Sequence, residues 1–382
     1  MAEPFKEFLN APLVRHAARH LQSLDARFSA SRFERAVVPQ LSALELKARA
    51  LCIADALAEH LPADFGDATD LLTRALASAP ANADAVMGDA AQAASREGLS
   101  GWILWPVGEY VARRGVEEPE RALTFLHAMT QRFTAEFAIR PLIVAHEALV
   151  LEHLKRWMHD PSAHVRRLVS EGTRPRLPWG LQLKRFVADP SPCVPLLEHL
   201  VKDSSEYVRR SVANHLNDIA KDHPDRVVAF VTRHLPNAPE ERRALLRHAS
   251  RTLIKQGHAA ALDAWGHGTP FRGQAELSLS PRRIALGQAV MLKAQLTSTA
   301  RTPQELVVDY VVHHVKANGE TSPKVFKGWR LTLAPGETRV LTRKHNVKPI
   351  TTRRYYAGRH EIALQINGKD VARDAFTLTL PR

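Results

Sequence analysis

Cysteine is nearly absent: Cys52 and Cys193 are the only two in 382 residues, and their placement suits neither a disulfide framework nor a metal site. A reducing, cytosolic setting is the expectation. Aromatic residues make up only 6% of the chain, and no apolar run is long enough to span a bilayer. The opening Met1-Ala2-Glu3-Pro4-Phe5-Lys6-Glu7 lacks the basic start and apolar stretch of a secretory signal, so a cytoplasmic protein is expected. A glycine-rich phosphate loop and a nucleophile elbow are also missing. His146-Glu147 is followed by His153, not by a histidine one helical turn after the first, which removes the zincin spacing. Most of the 19 histidines are isolated, and His313-His314 would face opposite sides of a strand. Neither a metal nor a cofactor is expected.

Positive charge is what the chain has in excess, with a formal net charge of +13. An imbalance of that size points to a polyanionic partner, nucleic acid first and an anionic membrane second. No basic helix carries an aromatic apolar face, which weakens the membrane reading.

One short phrase occurs twice, as Asp160-Pro161-Ser162-Ala163-His164-Val165-Arg166-Arg167-Leu168-Val169 and as Asp203-Ser204-Ser205-Glu206-Tyr207-Val208-Arg209-Arg210-Ser211-Val212. Repetition of this kind marks stacked helical units, each opened by an acidic cap. On a helical wheel Val208, Val212, Leu216 and Ile219 form the core side. Arg210, Asn214, Asn217 and Asp218 share another side, as do Arg167, Glu171 and Arg174 in the first copy. Each helix is therefore expected to show solvent a stripe of arginines mixed with a carboxylate. Two readings stay open: a solvated face laced with ion pairs, or a surface for a polyanion. The loop between the copies, Arg174-Pro175-Arg176-Leu177-Pro178-Trp179-Gly180, favours the second, because a stiff basic loop ending in tryptophan suits phosphates and stackable bases.

Amphipathic helices are expected from the start of the chain, for example over Leu41 to Leu61 and Asp67 to Leu76. The weakly patterned Ala79 to Gly98 segment is expected to be partly mobile, and Trp102, Trp105 and Pro106 to form an apolar corner. A strongly apolar helix is expected to open at Thr134-Ala135-Glu136 and continue through Leu149 and Leu154, with further units from Trp179, Leu196 and Pro239. Beyond the Gly266-His267-Gly268-Thr269-Pro270 linker, alternation takes over. About seven short strands are expected there: Ala275 to Ser280, Val290 to Thr297, Leu306 to Val315, Trp329 to Leu333, Thr338 to Lys344, His360 to Ile366 and Ala375 to Leu380. The expected architecture is an all-α HEAT-like repeat solenoid over 1–265, a linker over 266–272, and a small all-β immunoglobulin-like sandwich over 273–382.

Carboxylates among phosphate-seeking arginines lower affinity, and a substrate that becomes cationic gives a reason to keep them. The blocks Phe133-Thr134-Ala135-Glu136-Phe137-Ala138-Ile139-Arg140-Pro141, Val165 to Trp179 and Val208 to Asp218 resemble, in order, the AlkC branch of the bacterial HEAT-like alkylpurine DNA glycosylases. The resemblance implies hydrolysis of the N-glycosidic bond of cationic alkylated bases, 3-methyladenine and in this branch 3-methylcytosine, in double-stranded DNA and without base flipping. It assigns Glu136, Glu171 and Asp218 to stabilising the oxocarbenium ion and positioning water, and Trp179 to contact with the deoxyribose or lesion. Arg166, Arg167, Arg174, Arg176, Arg209, Arg210, Arg247 and Arg251, with Asn214, become the DNA-binding candidates. A monomer is expected, with the C-terminal domain closing on DNA through the basic segments Lys344 to Lys348 and Thr351 to Arg354. The competing class is a noncatalytic solenoid scaffold using the same basic face.

Overall fold

Helix starts in the N-terminal part follow local signals. Asn10 caps the Ala11–Leu24 helix by accepting a hydrogen bond from the Leu13 amide, and Asp64 caps the Phe65–Ala75 helix by accepting from Asp67. These belong to a computed structural model that describes residues 5–79, 98–351 and 353–380. Most of the Ala79 to Gly98 segment lies outside the described residues. The helix expected over Leu41 to Leu61 begins only at Leu46, because Pro39 opens a 3-10 turn over Val38–Ala43.

The helix expected from Thr134 is divided. Ile139–Ala145 and Glu147–Trp157 are separate helices, broken at His146, whose φ of −138° and ψ of 50° leave the helical region. Its ring bonds the Val116 carbonyl at 2.7 Å, so a tertiary contact overrides the periodic pattern. Glu136 sits in the turn ahead of the first of these helices rather than within it.

The repeated phrase has a structural meaning. The Ala163–Gly172 and Glu206–Ile219 helices are preceded by matching turns, in which Asp160 accepts from the Ser162 amide and Asp203 from the Ser205 amide, each at 2.8 Å. The aspartates thus shape the entering turns, and Ser162 and Ser205 occupy the N-cap positions. Arg166 closes back on the carbonyls of Asp160 and Pro161, and Arg209 on those of Asp203 and Ser204. Val208, Val212, Leu216 and Ile219 are all buried, as the wheel requires.

Contacts divide the chain into two compact units, Met1–Asp222 with Asn237–Ala249, and His223–Pro236 with Ser250–Arg382. The second holds the Pro224–His234, Arg251–Lys255 and Ala259–Ala264 helices and a β-sandwich. Its strands are β1 (Gly273–Ser280), β2 (Arg283–Ala285), β3 (Ala289–Ser298), β4 (Gln304–Val315), β5 (Thr321–Leu333), β6 (Thr338–Asn346), β7 (Gly358–Ile366) and β8 (Lys369–Thr379). One sheet has the order β1-β3-β6 and the other β2-β8-β7-β4-β5. The sequence pattern missed β2 and the first half of β5. Three residues are too few to show alternation, and Pro323 argues against a strand, although β5 is an edge where proline is tolerated.

β3 alternates strictly between core and surface, whereas β4, flanked by β5 and β7, is buried without a break from Leu306 to Val312. Val290, Leu292, Tyr310, Val312, Ile362 and Phe376 fill one part of the core, and Leu296, Leu306, Val308 and Leu364 fill another. Gly257 and Gly368 meet backbone to backbone: a Cβ on Gly257 would lie 2.7 Å from the Gly368 carbonyl oxygen. Both have positive φ, so the helical end and the β7–β8 turn close together only through glycine.

Candidate active site

Glu136, Glu171 and Asp218 lie far apart in sequence and are joined by one chain of ion pairs. Arg167 donates to Glu136 at 2.8 Å and lies 3.8 Å from Glu171. Arg174 donates to Glu171 at 2.6 Å and to Asp218 at 2.8 Å. Lys221 ends the chain on the other Asp218 oxygen at 2.9 Å. Thr134 donates its hydroxyl to Glu136, and Ser211 donates to Glu171, both at 2.5 Å, the short range typical of bonds to carboxylates.

All three acids are buried, at 8%, 5% and 3% exposure respectively. The expectation of a solvent-facing stripe is therefore corrected: Glu171, Arg174, Asn217 and Asp218 are interior, and Arg167 is largely covered. The reason is neighbouring structure. The helices that carry these groups pack directly on one another, so side chains absent from the apolar face of one helix are enclosed by the next.

Burial works against the charge of Glu171, but Arg167, Arg174 and the Ser211 hydroxyl outweigh it and hold the carboxyl below its usual range. Arg167 and Arg174 are likewise held firmly charged by their acids, despite burial. The Arg167 guanidinium also lies over the Tyr207 ring, 4.8 Å from its centre. His215 is wholly buried, donates Nδ1–H to the Ser170 carbonyl, and is pushed down to about 4 by burial, so it stays neutral.

Trp179 stands out from this interior at 70% exposure, on a turn where its φ is 64°. The turn folds back on itself, with the Gly180 amide bonded to the Leu177 carbonyl and the Leu183 amide to the Pro175 carbonyl. A Cβ at Gly180 would press on Leu177 and on Phe137, so the turn lies against the residue next to Glu136. Phe137 itself stacks on Trp105 at 5.5 Å.

The DNA-binding candidates separate by their commitments. Arg166 also serves as an internal brace: besides the turn carbonyls it binds both oxygens of Asp203, which ties one repeat to the next. The Arg174 guanidinium serves Glu171 and Asp218. Arg167 is held by Glu136, Arg176 pairs with Asp222, and Arg209 holds its turn. Arg210 is exposed beside Glu206, and Asn214 meets His248 at 2.9 Å. Arg247 lies on the Glu240–Ala249 helix and Arg251 opens a separate one, with Ser250 between them, so they do not share a continuous helix.

Comparison with known proteins places the arrangement. Residues 129–253 match the family model described as DNA alkylation repair enzyme, and residues 273–380 match the C-terminal Ig-like domain of the uncharacterised protein YhaZ. YhaZ of Bacillus subtilis (strain 168) is 34% identical over 366 residues, covering 95% of this chain and 96% of its own. A solved structure, the Pseudomonas fluorescens alkylpurine DNA glycosylase AlkC bound to DNA containing an abasic site analog, is 34% identical with a TM-score of 0.87. The match covers 99% of this chain and 100% of that one. The chain belongs to the AlkC-like DNA alkylation repair family.

For this AlkC-like chain the sequence reading missed the supporting groups Thr134, Ser211, Lys221, Tyr207 and Arg140. Tyr207 and Ser211 lie inside the repeated phrase at positions where the first copy has His164 and Leu168, a difference that signalled local specialisation. Arg140 stood in the quoted Ile139-Arg140-Pro141 run, an arginine among apolar residues. Among the described residues, no helix of this AlkC-like chain is long and apolar enough to cross a membrane.

Proposed function

We propose that the chain is a monofunctional DNA glycosylase that hydrolyses the N-glycosidic bond of cationic alkylated bases in duplex DNA, initiating base excision repair. The observation that carries this reading is the convergence of Glu136, Glu171 and Asp218 on one pre-formed ion-pair chain. A methylated purine such as 3-methyladenine already bears positive charge. When the C1′–N bond breaks, the base takes the bonding electrons and leaves neutral, and the positive charge passes to the sugar. Water then adds at C1′ and gives up its proton.

Carboxylates fixed in a low-dielectric setting stabilise such a cation with little reorganisation, because Arg167, Arg174 and the hydroxyls of Thr134 and Ser211 already hold them in place. Trp179, outside the network, is suited to lie against the deoxyribose or the lesion. The substrates are 3-methyladenine and 3-methylcytosine, attacked within bent duplex DNA rather than in a base-flipping pocket. The sandwich closes on the DNA through its basic segments, although Thr352 of the Thr351 to Arg354 segment lies outside the described residues.

The scaffold reading draws on one observation: each acid already has a cationic partner, as in a purely structural brace. Incubation with methylated duplex DNA and chromatography of the released bases separates the two. Free 3-methyladenine and 3-methylcytosine support the glycosylase, and DNA binding without release at any salt concentration supports the scaffold.

A further inference from the structure

Among the described residues Arg140 is the largest fully buried side chain, with 0% exposure. Buried arginines ordinarily face a carboxylate, yet among the described residues none lies within ion-pair distance of this one, because Arg167 and Arg174 occupy the nearby acids. Its guanidinium instead donates to two main-chain carbonyls, those of Gly172 at 2.9 Å and of Leu181. Gly172 ends the helix that carries Glu171, and Leu181 follows the turn that carries Trp179. Arg140 itself begins one residue into the Ile139–Ala145 helix, directly after the Glu136 turn.

One planar group thus joins the two ends of the 173–180 loop to the segment bearing Glu136. The loop closes on itself through the Gly180–Leu177 and Leu183–Pro175 backbone bonds, but the Trp179 ring is mostly exposed and its backbone is in the left-handed region, so its placement relative to the acids depends on what anchors the loop ends. Burial, with the nearby charge of Arg174, lowers Arg140 to about 10, while Glu136, Glu171 and Asp218 all favour its charged form, so it remains a cation amid the three acids.

We propose that Arg140 is the positioning residue that sets Trp179 relative to the acids, an inference that rests on the glycosylase reading. Only a fork of donors reaches both carbonyls. A lysine keeps the charge but can hold one end of the loop at a time.

The test uses the full-length chain with Arg140→Lys and Arg140→Met, each also in a Trp179→Ala background. In the free protein, amide hydrogen exchange over 173–183 should quicken by about tenfold or more in both variants, with the Glu206–Ile219 helix unchanged. Single-turnover release of 3-methyladenine should fall by about tenfold or more, while affinity for undamaged duplex stays within about twofold. In the Trp179→Ala background the same substitutions should cost less than about twofold, because the loss is shared. Unchanged exchange in a folded Arg140→Lys protein, or equal losses of release in both backgrounds, would overturn the proposal. If Arg140→Met fails to fold, Arg140→Lys alone decides. If the wild-type chain releases no base, the glycosylase reading fails, and the exchange measurement still decides whether Arg140 positions the loop.

Discussion

Arg174 reaches Asp218 across most of a repeat, with Nε and a terminal nitrogen each 2.8 Å from the same carboxylate oxygen. Both side chains are at most 10% exposed, so the pair is shielded from water and salt. Without Arg174, Asp218 keeps only Lys221 and Glu171 keeps only the more distant Arg167 and the Ser211 hydroxyl, so two buried acids are left short of positive charge. Arg174→Met is expected to cost about 3–5 kcal/mol in stability, measured by urea unfolding. A loss below about 1 kcal/mol, the value of a surface pair, would mean that the interior is wetter than its geometry indicates.

Trp179 should separate stability from function. Its backbone is in the left-handed region at φ 64°, where a non-glycine residue costs about 1–2 kcal/mol. Its side chain is 70% exposed and contributes little packing. Trp179→Gly is expected to leave the unfolding midpoint unchanged or raised, while base release falls by about tenfold or more. Thermal melts and single-turnover excision on the same preparation check both halves.

The two arginines of the repeated phrase should behave differently toward DNA. Arg166 is spent on Asp203 and two carbonyls, so Arg166→Ala should destabilise the fold and leave the salt dependence of duplex binding unchanged. Arg210, 69% exposed beside an equally exposed Glu206, is available to a phosphate. Arg210→Ala should weaken binding to all sequences alike and lower the slope of log affinity against log salt by about one. Titrations at several salt concentrations distinguish the two.

The sandwich contains its own acid sensitivity. His314, His345 and His360 are buried on β4, β6 and β7, facing Tyr310, Tyr355, Phe326 and Phe376. Burial first, and then the charges of Arg353 and Lys324, push His314 down to about 3 and His345 to about 4; burial, with Arg353, also lowers His360. In the unfolded chain these rings protonate near pH ~6.5. Between the two ranges the unfolded state binds more protons, so stability is full above about pH 6.5 and falls as the pH drops toward about 4. Hydrogen exchange of β4 and β7 in the full chain should show this loss. His314→Leu, which replaces a ring whose nitrogens have no hydrogen-bond partner, should flatten it.

The sequence revealed the change from helices to strands because the period itself changes, from the Val208, Val212, Leu216 spacing to the alternation of β3. The candidate acids were also legible, since Glu136, Glu171 and Asp218 stand in distinctive blocks. Which arginine serves which partner was not. Arg166 and Arg167 are adjacent and chemically identical, yet one turns to Asp203 and the other to Glu136, a choice made by packing between repeats. Burial of the acids escaped for the same reason: a wheel describes one helix, and here the neighbouring helix removes the solvent. Arg140 was hidden because its partners are backbone carbonyls, which leave no mark in composition.

The most direct measurement compares excision and binding in Glu136→Gln, Glu171→Gln and Asp218→Asn, using methylated duplex DNA. Each variant is expected to bind the duplex within about threefold of the wild type, while release of 3-methyladenine falls by about a hundredfold or more in at least one of them. Release at wild-type rates in all three, or loss of binding and release together in each, would contradict the assignment of these acids to the cationic sugar.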